Sequence, residues 1–317
     1  MTGFLAEAFG DVEYMDSKPK AYNVQTINYN DTGNAMLRGY LATPDMEIFA
    51  GPHPAVIILP DWDGVNTYEK ERATLLSELG YMAFAADIYG KDLQEGLDMA
   101  TKIELSTLYR NDTELYIQRI SAAVLLIQAD PMVDTNSIGI IGYCFGGTGI
   151  IDYAFSGMGV KAAVSFHGGL TDLDIPQPGI TIQPYVLVLS GGIDDAQGNQ
   201  TELEEKLNEA NATWEITRYA GVDHAFTVWN GSLYNLMADA RSFDSMISLF
   251  AKVMPPQRVS ATIAPISPSV TYAPSDIMPS GMNTPVTASP VKTSSASMQY
   301  LTYSAVFATA MMTLLML

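Results

Sequence analysis

The stretch GYCFGG, residues 142–147, holds the one cysteine of a 317-residue chain. A thiol set between glycines is a candidate nucleophile, because a thiolate attacks acyl carbon readily once a base has taken its proton. The surrounding SIGIIGYCFGGTGIIDYA reads as strand, abrupt turn and helix. A side chain at such a turn sits on a strained backbone, and its flanks must stay small to clear neighbouring strands, as Gly142, Gly146 and Gly147 do. The helix that follows points its first amides at the sulfur and favours thiolate. A base and an orienting acid are needed as well, and the chain offers both in the order nucleophile, acid, histidine. The apolar run YVLVLSG leads into GIDD with Asp194 and Asp195, and WEITRYAG leads into VDHAF with His224. His167, in SFHGG, also follows an apolar run and is the weaker competitor for the base. Redox chemistry of the C-x-x-C kind has no resolving cysteine here.

These residues must be held by strand ends. Six short apolar runs read as buried parallel strands: residues 55–60, 82–89, 137–143, 161–168, 185–191 and 214–221. Helical patterns lie between them. TYEKERATLLSELG ends at Gly80, a C-terminal cap; DTELYIQRISAAVLLIQ puts Ile117, Ile120, Val124 and Ile127 on one stripe; TELEEKLNEA opens with the capping-box spacing of Thr201 and Glu204; DARSFDSMISLFAKV is stopped by Pro255 and Pro256. Residues 22–43 read instead as an edge hairpin. Strand alternating with helix this often predicts one α/β domain, a mostly parallel sheet covered on both faces, over residues 1–254. In open sheets of this kind chemistry gathers at the carboxyl ends of the strands, where Cys144, Asp194 and His224 all fall.

The segments PAVIILPDWDGVN, AFAADIYGK, GIIGYCFGG, AAVSFHGG, VLVLSGGIDD and YAGVDHAFT together resemble the dienelactone hydrolase family over about residues 20–254. The resemblance implies an α/β-hydrolase fold and hydrolysis of esters or lactones through a Cys-His-Asp triad and an acyl-enzyme. It makes Cys144 the nucleophile, His224 the base and Asp194, three after Gly191, the acid; Asp195 takes that place if the register counts from Gly192. It gives the oxyanion hole to the amides of Phe145 and Trp62. Asp61 stands where the family has a glutamate able to hold the resting thiol, and Lys91 is a basic residue after ADIYG. Val228 stands where the dienelactone-specific members carry a carboxylate-binding arginine, and a single lysine is a point charge rather than a bidentate clamp. Acyl transfer needs no cofactor, and none is implied. The competing reading is a surface module that kept the fold and lost turnover.

Composition narrows the partners. With 35 acidic against 16 basic residues the formal charge is −19, a surface that repels nucleic acid and small anions at long range. One cysteine cannot close an internal disulfide, and the three histidines, His53, His167 and His224, show no metal-ligand spacing. After VMPPQRV the composition changes. Residues 255–300 are rich in Pro, Ser, Thr and Ala, a disordered stalk, and residues 301–317 form an uncharged apolar tail. The tail fits a GPI-attachment signal, with SSAS as the small-residue site, and its length also admits a tail anchor facing the cytosol. Five N-x-S/T sequons, at Asn30, Asn111, Asn199, Asn211 and Asn230, stand where composition alone gives roughly two. They favour a secretory route and a cell-surface enzyme, although MTGFLAEAFGDVEYMDSKPK lacks the features of a signal peptide.

Overall fold

Six strands run in parallel, five of them buried; the sixth, Thr213–Tyr219 at one edge, expected from sequence to be buried as well, is half-exposed. Strand β4 (His53–Leu59) is fully buried, as are most residues of β5 (Met82–Ala85), β6 (Val133–Tyr143), β7 (Ala162–Phe166) and β8 (Tyr185–Gly191). Apolar runs without alternation are what strands covered on both faces require. Outside them lie β9 (Thr213–Tyr219) at one edge and the hairpin β1 (Val24–Asn30) and β2 (Met36–Ala42) at the other, in the order β1-β2-β5-β4-β6-β7-β8-β9. The hairpin pairs antiparallel, and β2 runs antiparallel to β5. The computed structural model that shows this describes residues 23–94, 96–170, 180–194 and 199–259. Residues 1–22, Asp195 and everything from 260 on, including most of the expected stalk and the whole tail, lie outside the described residues. Among the described residues no helix is long and apolar enough to cross a membrane.

Alternate strand residues feed opposite layers. Ile57, Ile140 and Val188 join one cluster with helices α2 (Met99–Asn111), α3 (Thr113–Gln128), α4 (Phe145–Phe155) and α5 (Asn199–Glu209). Val56, Ile58, Ile141 and Leu189 join the other with α1 (Thr67–Glu78) and α6 (Leu236–Val253). The stripe on α3 is buried at Ile120, Val124 and Ile127, with Ile117 at its rim. Gly80 takes φ +100 directly after the α1 cap residue Leu79, the conformation that ends helices at glycine. Past Pro255 and Pro256, β10 (Gln257–Arg258) pairs antiparallel with β3 (Phe49–Ala50).

Two further readings from sequence are corrected, and one helix carries no clear sequence signal. Strand β5 stops at Ala85 rather than continuing to residue 89, because Asp87 turns the chain by accepting the amides of Gly90 and Arg38 at 2.9 Å each. Helix α5 starts at Asn199, so Thr201 lies inside its first turn and caps nothing. The capping box belongs to α1, where Asn66 accepts the Tyr68 amide and Glu69 reaches back to the Asn66 amide at 2.9 Å. Helix α2 went unread, because only Ser106 and Tyr109 of its thirteen residues are buried and it carries little periodic signal.

Candidate active site

Cys144 sits between the end of β6 and the first turn of α4 with φ +52 and ψ −110, a conformation that costs a side-chain-bearing residue about 1–3 kcal/mol. The glycines around it are a packing requirement. A Cβ on Gly142 would lie 2.2 Å from the Gly146 carbonyl oxygen, on Gly146 2.5 Å from that of Leu59, and on Gly147 2.7 Å from the Gly168 Cα. The Cys144 amide is shared between the Phe166 carbonyl oxygen at 3.0 Å and His167 Nδ1 at 3.2 Å, and Gly146 N–H donates to the Pro60 carbonyl oxygen at 2.9 Å. The turn is thus tied to the ends of both flanking strands.

Asp194 and His224 come from the loops after β8 and β9. Gly192 N–H donates to Tyr219 O at 2.7 Å and Ile193 N–H to Val222 O at 3.0 Å, so the two loops are stitched together just before the side chains they present. His224 Nδ1 lies 3.0 and 2.9 Å from the two Asp194 oxygens, and its Nε2 lies 3.1 Å from Cys144 Sγ. Burial works against charge on this ring, but the hydrogen bonds to Asp194 and to Cys144 outweigh it and push its pKa up to about 10. The carboxylate fixes Nδ1 as the protonated nitrogen and turns Nε2 to the sulfur. Asp195, the other register, lies outside the described residues.

The remaining expected residues divide. The amides of Phe145 and Trp62 donate to no other group among the described residues, so both are free to receive an oxyanion. Asp61 is buried beside them, and burial pushes its pKa up to about 6. Its carboxylate accepts the Asp63 amide at 2.8 Å and feels the charge of His224, and none of its hydrogen bonds runs to the thiol. Glu69 packs behind it, accepting the Asp61 amide at 3.4 Å; burial and then Asp61 hold its carboxyl well above the usual range. Lys91 is not brought to the cysteine: its ammonium stands 4.0 Å from Asp92, and its amide holds Met36 O.

Sequence reasoning missed several neighbours, mostly on the unread α2. Arg110 lies over the Phe145 ring at 5.4 Å, and Lys102 pairs with Asp63 at 2.7 Å and lies 6.0 Å from the Trp62 ring. Tyr89 donates to the Trp62 carbonyl oxygen at 3.2 Å and so holds the loop whose amide is free. The Tyr89 in ADIYG was the available signal, a tyrosine at a strand end. His167, the weaker candidate base, is fully buried and does not bond the thiol. A thiol with an imidazole on it and a carboxylate behind that imidazole is equipped to transfer acyl groups.

Comparison with known proteins identifies a family for the chain. The model of the dienelactone hydrolase family matches residues 37–254. A candidate carboxymethylenebutenolidase of Synechocystis sp. is 28% identical over 238 residues, covering 68% of this chain and 92% of the relative. A candidate 2-oxo-3-(5-oxofuran-2-ylidene)propanoate lactonase of Bradyrhizobium sp. is 27% identical over 210 residues, covering 63% of this chain and 82% of the relative. Among solved structures, a dienelactone hydrolase-like promiscuous phosphotriesterase from metagenomic libraries is similar at TM-score 0.67 and 30% identity, over 74% of this chain and 99% of that one.

Proposed function

Because the chain belongs to the dienelactone hydrolase family, and with it to the hydrolases of ester and lactone bonds, we propose that it cleaves them through Cys144, His224 and Asp194. The observation that carries this reading is the line from Asp194 through His224 to Cys144 Sγ, at 2.9 and 3.1 Å.

In the first half-reaction Cys144 Sγ attacks the carbonyl carbon while the thiol proton resides on His224 Nε2. The carbonyl oxygen becomes an oxyanion held by the amides of Phe145 and Trp62. Collapse breaks the bond to the leaving oxygen, which takes the proton from His224; in a lactone that oxygen stays tethered and the ring opens. A thioester remains on Cys144. Water then attacks it, giving a proton to His224, and the second collapse returns that proton to sulfur and frees the acid. Asp194 holds the imidazolium in one orientation throughout. Substrate charge is the finer part of the proposal. With Val228 near the histidine, Lys91 engaged by Asp92 and an acidic surface, the site suits uncharged acyl groups better than carboxylate-bearing lactones. Screening the purified protein against short-chain esters and lactones, neutral and anionic, with Cys144→Ala as control, tests both parts. Hydrolysis of neutral substrates by wild type alone supports them. Exclusive preference for anionic lactones would reverse the charge assignment, and a Cys144→Ala variant as active as wild type would remove the triad.

A further inference from the structure

His167 has no part in the mechanism above, yet it is fully buried, holds φ +39, and has both ring nitrogens engaged next to the reacting groups. The Cys144 amide, shared with the Phe166 carbonyl oxygen at 3.0 Å, donates to Nδ1 at 3.2 Å, an arrangement in which Nδ1 presents a lone pair. The ring proton is therefore on Nε2, which lies 2.7 Å from Thr227 Oγ1 and donates to it. Thr227 stands three residues after His224. Its hydroxyl also shares a hydrogen bond with Tyr68 at 2.7 Å, and its carbonyl oxygen accepts Arg72 at 3.0 Å. Arg72 is itself locked by Asp239 at 2.6 Å and lies over the Trp229 ring at 4.2 Å. The far end of the connection is thus anchored in the buried layer between α1 and α6.

We propose that His167 is a positioning residue: an imidazole of fixed tautomer that bridges the Cys144 backbone to Thr227 and so sets the gap between the nucleophile turn and the loop bearing His224. The inference rests on the reading of Cys144 and His224 as nucleophile and base. Each of the two reacting side chains sits on an irregular segment, Cys144 on a strained turn and His224 in a strand-end loop. The turn is tied to its flanking strands and the His224 loop to the Asp194 loop. The His167 bridge adds a direct link between the two at a 3.1 Å sulfur–nitrogen distance, where a misplacement of about 1 Å costs on the order of a hundredfold in rate. A protonated ring would turn Nδ1 into a donor facing the donor Cys144 N–H and break the bridge. The charged groups nearby oppose that state: the His224 ring centroid is 5.1 Å away, and Arg72 bonds the same threonine. Burial, His224 and Arg72 together keep the ring well below the usual histidine range.

Three variants and one spectrum test this. Thr227→Val removes the hydroxyl with little change in volume. His167→Phe fills the space and removes both nitrogens, and His167→Asn retains an oxygen within reach of the Cys144 amide. We expect kcat to fall about tenfold or more in Thr227→Val and His167→Phe with KM within about threefold, and His167→Asn to recover part of the loss. Nitrogen-15 spectra of histidine-labelled full-length protein should show one ring with a bare Nδ1 and a protonated Nε2 that does not titrate through the neutral range. Folded Thr227→Val with wild-type kcat overturns the bridge whatever His167→Phe does, including failing to fold. So does a His167 that carries its proton on Nδ1. Cys144→Ala in parallel separates the two readings: retained turnover there removes the nucleophile, whereas a dead Cys144→Ala beside a wild-type Thr227→Val removes this inference alone.

Discussion

Replacing Asp61 with asparagine should stabilise the protein at neutral pH and leave it little changed in acid. The asparagine keeps an oxygen for the Asp63 amide, which now meets Asp61 at 2.8 Å, and discards only the charge. In the folded protein burial raises the Asp61 pKa from 3.8 to about 6, and the charge of Asp63 adds to the rise. An acid whose folded pKa lies above its unfolded one binds its proton more tightly when folded. Its contribution to stability is complete below the unfolded value and is lost as pH rises to the folded one. Between 3.8 and about 6 the loss amounts to about 3 kcal/mol, at about 1.4 kcal/mol per pH unit. Glu69 shares the same buried site and is pushed well above the usual carboxylate range by the same burial, so the loss belongs to the pair rather than to one carboxyl. Urea unfolding of wild type and Asp61→Asn at about pH 4 and about pH 7 reads the effect directly, because the variant lacks the titration. The stability difference, variant minus wild type, should grow by about 2 kcal/mol toward neutral pH, since the unfolded aspartate is already partly ionised at the lower pH. A difference that stays flat, or shrinks, would refute burial as the origin of the raised pKa.

Three further outcomes follow from other parts of the molecule. Asp194→Asn should lower kcat by roughly four orders of magnitude by freeing the wrong tautomer of His224, and Asp195→Asn should cost far less; the opposite ranking in steady-state assays would move the acid by one residue. Arg72→Met leaves the Asp239 carboxylate buried without its 2.6 Å partner and should cost about 3–5 kcal/mol in a denaturant titration, whereas a loss below about 1 kcal/mol would show that Trp229 and Tyr234 satisfy Asp239 alone. A surface anchor predicts that the full chain partitions with membranes and shifts on enzymatic removal of N-glycans, with Asn30, Asn111, Asn211 and Asn230 all exposed as acceptors; a soluble, unshifted chain in its native cell would end that reading.

What was legible in the sequence follows from burial. The central parallel strands announce themselves because both faces are covered and their runs are mostly apolar, whereas the edge strand β9 is half-exposed, and the glycines around Cys144 are dictated by backbone contacts under 3 Å. Cys144, Asp194 and His224 were legible as a group because the sheet brings them together at the carboxyl ends of β6, β8 and β9. Helix α2 was not, because a helix with one thin buried edge shows little period, and with it went Arg110 and Lys102 at the rim of the site. His167 was noticed for the wrong reason. Its position after a strand suggested a base, but what distinguishes it is a bond to a backbone amide on one side and a threonine on the other, a relation between residues 144, 167 and 227 that no local pattern contains. The Arg72–Asp239 pair joins two helices 167 positions apart and was hidden in the same way.

In the proposed mechanism an acyl group passes through the sulfur of Cys144. Rapid quenching of the full-length protein with a slowly deacylated ester, followed by mass spectrometry of the intact chain and its peptides, reads that intermediate directly. One acyl mass should be added per chain, confined to the peptide that contains Cys144, lost in Cys144→Ala and formed far more slowly in His224→Ala. Turnover with no adduct on that peptide, and a Cys144→Ala variant that keeps wild-type activity, would contradict it.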